Sequence, residues 1–205
     1  MLVLKNVNYN NILYYDTYIP EGVTTFICGE SGSGKSTLLK LLNGVLSPLS
    51  GEIMYFNKSL EDYDPIQLRR EILLVSQSVY LFDKSIKDNF AEYYAYLGAT
   101  AINEEKIKRY LDICAVSLPL DSMCNVLSGG ERQRVFVAIN LSYNPKVLML
   151  DEPTSALDDK TANILMENII SYCKASNITP VIISHDQAMS QKYADNIITL
   201  SGGAR

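Results

Sequence analysis

Short apolar runs between polar turns organise this chain. Val23-Thr-Thr-Phe-Ile27, Val147-Leu-Met-Leu150 and Pro180-Val-Ile-Ile183 are too short for helices and do not alternate apolar with polar positions. Runs of that kind fit strands buried on both faces, as in a parallel sheet. Ser36-Thr-Leu-Leu-Lys-Leu-Leu42 reads as a helix. Strands therefore alternate with helices, and the expected class is α/β with a mostly parallel central sheet. The first twenty residues differ. Val3, Val7, Tyr9, Ile12, Tyr14 and Tyr18 mark short strands with turns at Asn10-Asn11 and Pro20-Glu-Gly22, an N-terminal antiparallel β lobe. Over residues 83–120 Lys, Glu, Tyr and Ala replace the β-branched runs, and Glu104-Glu-Lys-Ile-Lys-Arg-Tyr-Leu111 is amphipathic, which predicts a helical insertion. The expected organisation is a single domain over 1–205. Its core takes 1–77 and about 140–205, and a helical subdomain takes about 78–139.

All three apolar runs end at residues with chemistry, and ligands of open α/β sheets collect at the carboxyl ends of strands. The first run leads into Gly29-Glu-Ser-Gly-Ser-Gly-Lys-Ser36, the pattern G-x-x-x-x-G-K-[ST] between a predicted strand and a predicted helix. Gly29, Ser31, Gly32, Ser33 and Gly34 would wrap backbone N–H groups around phosphate, and the helix opening at Lys35, Ser36 and Thr37 adds the positive end of its dipole. Lys35 would reach the β- and γ-phosphates, and the Ser36 hydroxyl would ligate Mg²⁺. The run Val147-Leu-Met-Leu150 ends in Asp151 and Glu152. Asp151 is the expected acidic partner of the metal, and Glu152 is placed to polarise the attacking water. The third run points His185, the sole histidine, toward the same edge. An isolated histidine or a strand-end carboxylate is most often structural. It is their convergence on the phosphate loop that gives them a role.

Leu127-Ser-Gly-Gly-Glu-Arg-Gln-Arg134, Asn144-Pro-Lys-Val and Asp151-Glu-Pro-Thr-Ser-Ala-Leu-Asp158 closely resemble the signature motif, second acidic motif and D-loop of ATP-binding cassette (ABC) proteins. Gln77 in Val-Ser-Gln-Ser matches the Q-loop, and His185 in Ile-Ser-His-Asp matches the switch histidine. The resemblance covers nearly the whole chain and implies a P-loop NTPase fold with ATP and Mg²⁺ as cofactors. It further implies that two cassettes pack head to tail, each ATP lying between the P-loop of one and Ser128, Gly129 and Gly130 of the other. By the same resemblance Asp158 belongs to the dimer contact, Gln77 joins Ser36 and Asp151 as a metal ligand, and His185 contacts the γ-phosphate or the water. Two positions depart from the pattern. Glu30 stands where proline is common. The aromatic residue that stacks on adenine is assigned to Tyr9, although the usual register falls nearer Asn10 or Asn11, and Tyr14 or Tyr15 could substitute.

Composition adds mainly exclusions. A net charge of -5 argues against a nucleic-acid partner, and 47% hydrophobic with 20% charged residues is ordinary for a soluble domain. Cys28, Cys114, Cys124 and Cys173 form no C-x-x-C pair and read as reduced, mostly buried thiols. The start lacks the pattern of a signal peptide, no apolar run approaches the roughly 20 residues of a membrane span, and the chain stops soon after its last strand. The resemblance implies the ATP-hydrolysing subunit of a transporter. It would sit in the cytoplasm on the inner face of the membrane, with a second copy or a homologous cassette and a separate transmembrane permease as partners. Val-Tyr80-Leu-Phe-Asp-Lys-Ser-Ile-Lys-Asp-Asn89 resembles the exporter-type segment that meets a permease, and the compact chain resembles small bacterial export subunits. The alternative is a soluble cassette acting as an ATP-switched assembly factor, as in iron–sulfur assembly.

Overall fold

A computed structural model describes residues 1–200. It divides into two compact units. The first comprises residues 1–75, 145–152 and the chain from Cys173 onward; the second comprises residues 76–144 and 153–172.

The first unit holds two sheets. Strands β1 (Leu2–Tyr9), β2 (Ile12–Tyr14) and β3 (Thr17–Ile19) are followed by β4 (Thr25–Gly29), helix α1 (Lys35–Leu42), β5 (Ser50–Tyr55), β6 (Lys58–Ser59), helix α2 (Pro65–Glu71) and β7 (Ile72–Val75). The antiparallel sheet runs β2-β1-β5-β6, with β3 also paired to β1. Asn10 and Asn11 both take positive φ, 47 and 65, the two-residue turn geometry that matches strand twist. Burial along β1 passes from Leu2 and Leu4 to Val7, breaking the period of two. The break is a bulge at Asn6 (φ 48), whose N–H donates to Asp16 Oδ1 at 2.8 Å.

The parallel sheet adds β8 (Val147–Asp151), β9 (Thr179–Ile183) and β10 (Asn196–Leu200), in the order β10-β4-β9-β8-β7. Every residue of β8 and β9 is buried, as their unbroken apolar runs require. Leu38, Leu39, Leu41 and Leu42 of α1 share one core with Leu2, Leu4 and Tyr55 of the antiparallel sheet and with Ile27, Met149 and Val181 of the parallel one. The four leucines lie along one face of α1, and Ser36 and Lys40 on the other face are exposed.

The second unit is helical: α3 (Ile86–Tyr96), α4 (Glu104–Ile113), α5 (Gly129–Leu141) and most of α6 (Asp159–Ala175). Ser85, Asn103 and Ser128 cap α3, α4 and α5 with side-chain oxygens. Asn89 is fully buried. Its amide donates to the Phe82 and Ser85 carbonyls and accepts from Phe82 N–H, pinning the segment that enters α3. The chain re-enters the first unit at Cys173, near the end of α6, and helix α7 (Gln187–Tyr193) lies there between β9 and β10. The four cysteines are free thiols, Cys28 half-buried and the others buried.

Candidate active site

The strand β4 ends at Gly29, and the loop that follows is shaped by contacts and by its own backbone. Gly32 (φ 79) and Gly34 (φ 90) occupy the left-handed region that side chains avoid. At Gly29 contact decides: a Cβ there would lie 2.5 Å from the Leu200 carbonyl oxygen and 2.9 Å from Ser33 Oγ. Ser31 and Gly32 form the exposed tip, while Ser33 is buried with an Oγ that has no hydrogen-bond partner. Lys35 is only 6% exposed, and its Nζ donates to the carbonyls of Gly29 (2.9 Å) and Glu30 (2.8 Å). An ammonium has three donors, so one remains for a ligand. Gly34 caps α1 without a side chain, which leaves the first-turn N–H groups of Lys35, Ser36 and Thr37 with no capping acceptor. A buried cation beside a bare helix start is a site for an anion.

Asp151 closes β8 beside this loop, with the Ser36 hydroxyl near enough to its carboxylate to favour the charged form. Burial pushes the Asp151 carboxyl above the ordinary carboxylate range and Glu152 adds to the shift, against the Ser36 hydroxyl and the charges of Lys40 and Lys35. Its Oδ1 is buried with no hydrogen-bond partner. An orphaned carboxylate oxygen next to a serine hydroxyl is a hard-oxygen donor set of the kind Mg²⁺ takes, and the residues fit that ion. Bound there, Mg²⁺ would supply charge neutralisation on the phosphates.

Glu152 takes φ 52, a conformation that costs a non-glycine residue about 1–2 kcal/mol. Its N–H donates to the Ile183 carbonyl at 3.1 Å, and the turn so formed brings Oε1 to 2.7 Å from His185 Nε2. Sequence places these residues on two different strands; the β8–β9 pairing, with Asp151 opposite Ile183, makes them neighbours. The strained backbone thus holds a carboxylate and an imidazole together at the strand edge that bears Asp151.

In the second unit Ser128 begins α5 within a capping box. Its Oγ accepts from Glu131 N–H (3.3 Å), and Glu131 Oε2 accepts from Ser128 N–H (2.9 Å) and Oγ–H (2.7 Å). These bonds hold the Glu131 carboxyl below its ordinary range. The spacing S-x-x-E was legible, yet the sequence reading gave Glu131 no part in setting Ser128. Gly130 is hemmed in: a Cβ would meet Leu157 Cδ2 at 2.8 Å and the Ala156 carbonyl at 2.9 Å. At Gly129 nothing lies within 4 Å. Asp158 accepts from Thr161 N–H (3.0 Å) and Oγ1–H (2.7 Å), which starts α6 and lowers the carboxyl.

These two constellations correspond to a known family, whose model, that of the ABC transporter, matches residues 14–155. The chain belongs to the ABC transporter family. The cassette is 35% identical over 211 residues to the energy-coupling factor transporter ATP-binding protein EcfA2 of Ligilactobacillus salivarius, a match covering 98% of this chain and 70% of that protein. It is 34% identical over 189 residues to Protein STAR1 of Oryza sativa subsp. japonica, covering 92% of this chain and 54% of that one, so it spans about half of that relative. The dimeric structure of the bacterial ABC transporter cassette MJ0796 superposes with a TM-score of 0.85 at 28% identity, covering 99% of this chain and 95% of that one. A second dimeric structure of MJ0796 is a post-hydrolysis state bound to ADP and Pi. The cassette is an ATPase with the α/β P-loop fold that its sequence resembles.

The adenine candidates separate by exposure. Tyr9 is half-buried on β1 and packs against the core, Tyr14 is 2% exposed, and Tyr15 is 73% exposed. Tyr15 also lines a small cavity of about 40 Å³ together with Ser33 of the phosphate loop. Gln77 is an exposed bend residue of the second unit, two positions beyond the end of β7. No helix among the described residues is long and apolar enough to cross a membrane.

Proposed function

We propose that two copies of this cassette, or one copy and a homologous cassette, close head to tail around two MgATP and that hydrolysis reopens them to drive a separate membrane permease. Gly129 carries the reading. It sits at the first helical position with an ordinary backbone and open space where a side chain would be, so nothing within the chain requires glycine there. Close approach of a ligand held by another chain does require it. The Lys35 loop supplies that ligand's phosphate site, Ser36 and Asp151 hold its Mg²⁺, and Glu152, paired with His185, takes the proton of the attacking water. Tyr15 is the better-placed residue to meet the base, since Tyr9 and Tyr14 spend their rings on the core.

The permease would meet the second unit at an aromatic patch. Phe82 packs against Tyr80, Tyr93 and Tyr96 with ring centroids 5.1, 5.9 and 6.0 Å apart, yet Tyr80 is 62% and Tyr96 75% exposed. Exposed aromatics are typical of partner surfaces. On this reading the cassette works at the cytoplasmic face of a membrane.

The experiment mixes two inactive variants. Lys35→Ala lacks the phosphate cation, and Ser128→Arg blocks the opposite surface while still binding ATP as a monomer. Each mixed dimer keeps one composite site with an intact loop and an intact Ser128. Activity should return in mixtures and be absent from either variant alone. No recovery at any ratio would refute head-to-tail sites that fire independently.

A further inference from the structure

The Tyr14 hydroxyl reaches the phosphate loop from the antiparallel sheet. It donates to the Gly34 carbonyl at 3.0 Å. The Gly34 carbonyl also accepts the first helical bond of α1, from Leu38 N–H at 2.8 Å. The phenol therefore meets α1 at its N-cap, the end whose N–H groups have no capping side chain.

We infer that Tyr14 is a positioning residue for nucleotide: its hydroxyl ties the first turn of α1 to the antiparallel sheet and fixes the backbone N–H groups that grip phosphate. The inference rests on the phosphate-site reading above. Three observations support more than a satisfied core tyrosine. The ring is anchored at both ends, 2% exposed within the core and set by the pairing of Tyr14 with Val7 of β1. Burial pushes its hydroxyl up to about 12, so it remains a neutral donor throughout the physiological range. A Cβ at position 34 would lie 2.7 Å from that hydroxyl, so the tether and the loop glycine occupy one another's space. A loop held from the side needs less ordering when a ligand arrives, and preorganisation of this kind appears as affinity.

The test compares Tyr14→Phe with Tyr55→Phe. Tyr55 is a second core tyrosine, 1% exposed, whose hydroxyl meets Glu71 Oε2 at 3.4 Å, away from the loop. Titration calorimetry gives Kd for ATP and ADP, and thermal unfolding reports the fold. Tyr14→Phe should weaken both nucleotides by about three- to tenfold, the range one hydrogen bond covers, and should raise KM more than it lowers kcat. Tyr55→Phe should leave both affinities unchanged. Equal affinities in wild type and Tyr14→Phe, or an equal loss in Tyr55→Phe, overturn the positioning role. Should Tyr14→Phe not fold, replacing Tyr14 with p-aminophenylalanine keeps a donor toward Gly34 and should retain affinity, replacing it with p-methylphenylalanine removes the donor at similar volume and should lose affinity, and equal affinity in those two overturns the inference. A wild type that binds neither nucleotide refutes the phosphate site itself, a separate and earlier failure.

Discussion

Exchanging Glu152 for glutamine changes one atom at the centre of the proposed chemistry. The side chain is 20% exposed and its Oε1 lies 2.7 Å from His185 Nε2, a contact the glutamine carbonyl oxygen can keep. The backbone bond from residue 152 N–H to the Ile183 carbonyl is untouched. Glu152→Gln should therefore shift stability by no more than about 0.5 kcal/mol, or about 2 °C in Tm. ATP affinity should also hold, because Lys35 and the loop N–H groups are intact. The amide is a far weaker base than the carboxylate. Removing base assistance costs roughly 10²–10⁴-fold, so the rate of hydrolysis in a single turnover should fall by that order. ATP that is bound and not hydrolysed should hold two copies together, and size-exclusion chromatography with Mg²⁺ and ATP should show the variant as a dimer and wild type mainly as monomer. Loss of a negative charge near the γ-phosphate can also favour a dimer without any catalytic role, so the elution position does not decide. The single-turnover rate does. A variant that hydrolyses bound ATP as fast as wild type removes Glu152 from the mechanism, whatever its elution volume.

Two neighbouring glycines should respond oppositely to alanine. Gly130→Ala drives a Cβ to 2.8 Å from Leu157 Cδ2 and 2.9 Å from the Ala156 carbonyl, and calorimetry should record a loss of about 1–3 kcal/mol. Gly129→Ala meets nothing within 4 Å and gains helix propensity, so Tm should hold or rise while ATPase activity falls at least about tenfold. Asp151→Asn should raise Tm by about 2–4 °C for each kcal/mol recovered while abolishing Mg²⁺-dependent hydrolysis, since it removes a buried, partly unsatisfied carboxylate. The folded state holds the Asp151 proton more tightly than the unfolded chain does. Stability therefore falls as pH rises through that titration, and the Tm gap between wild type and Asp151→Asn should be full at neutral pH and close on acidification.

The amino-acid sequence alone carried the local features of this cassette. Continuous apolar runs marked β8 and β9 to within a residue, because a strand buried on both faces leaves no polar position to misplace its ends. The Asn10-Asn11 turn and the glycine-rich loop were readable because each backbone conformation there admits few residue types. The strand read as residues 23–27 is Thr25–Gly29, and the reason is tertiary: β10 pairs along its length to Leu200 opposite Gly29, which carries the strand into the phosphate loop. In sequence the adenine position is assigned to Tyr9, with Tyr14 or Tyr15 as substitutes, because exposure along a hairpin is not written in residue type. Packing ranks them, turning Tyr14 into the core and Tyr15 outward. The Glu152–His185 pair depends on β8 lying beside β9, and the Tyr14–Gly34 bond on a hairpin folding over α1. A chain reports its local preferences within a turn or a strand. Which distant side chains then meet is decided by sheet order and helix packing, where the apolar surface of the whole unit is buried at once.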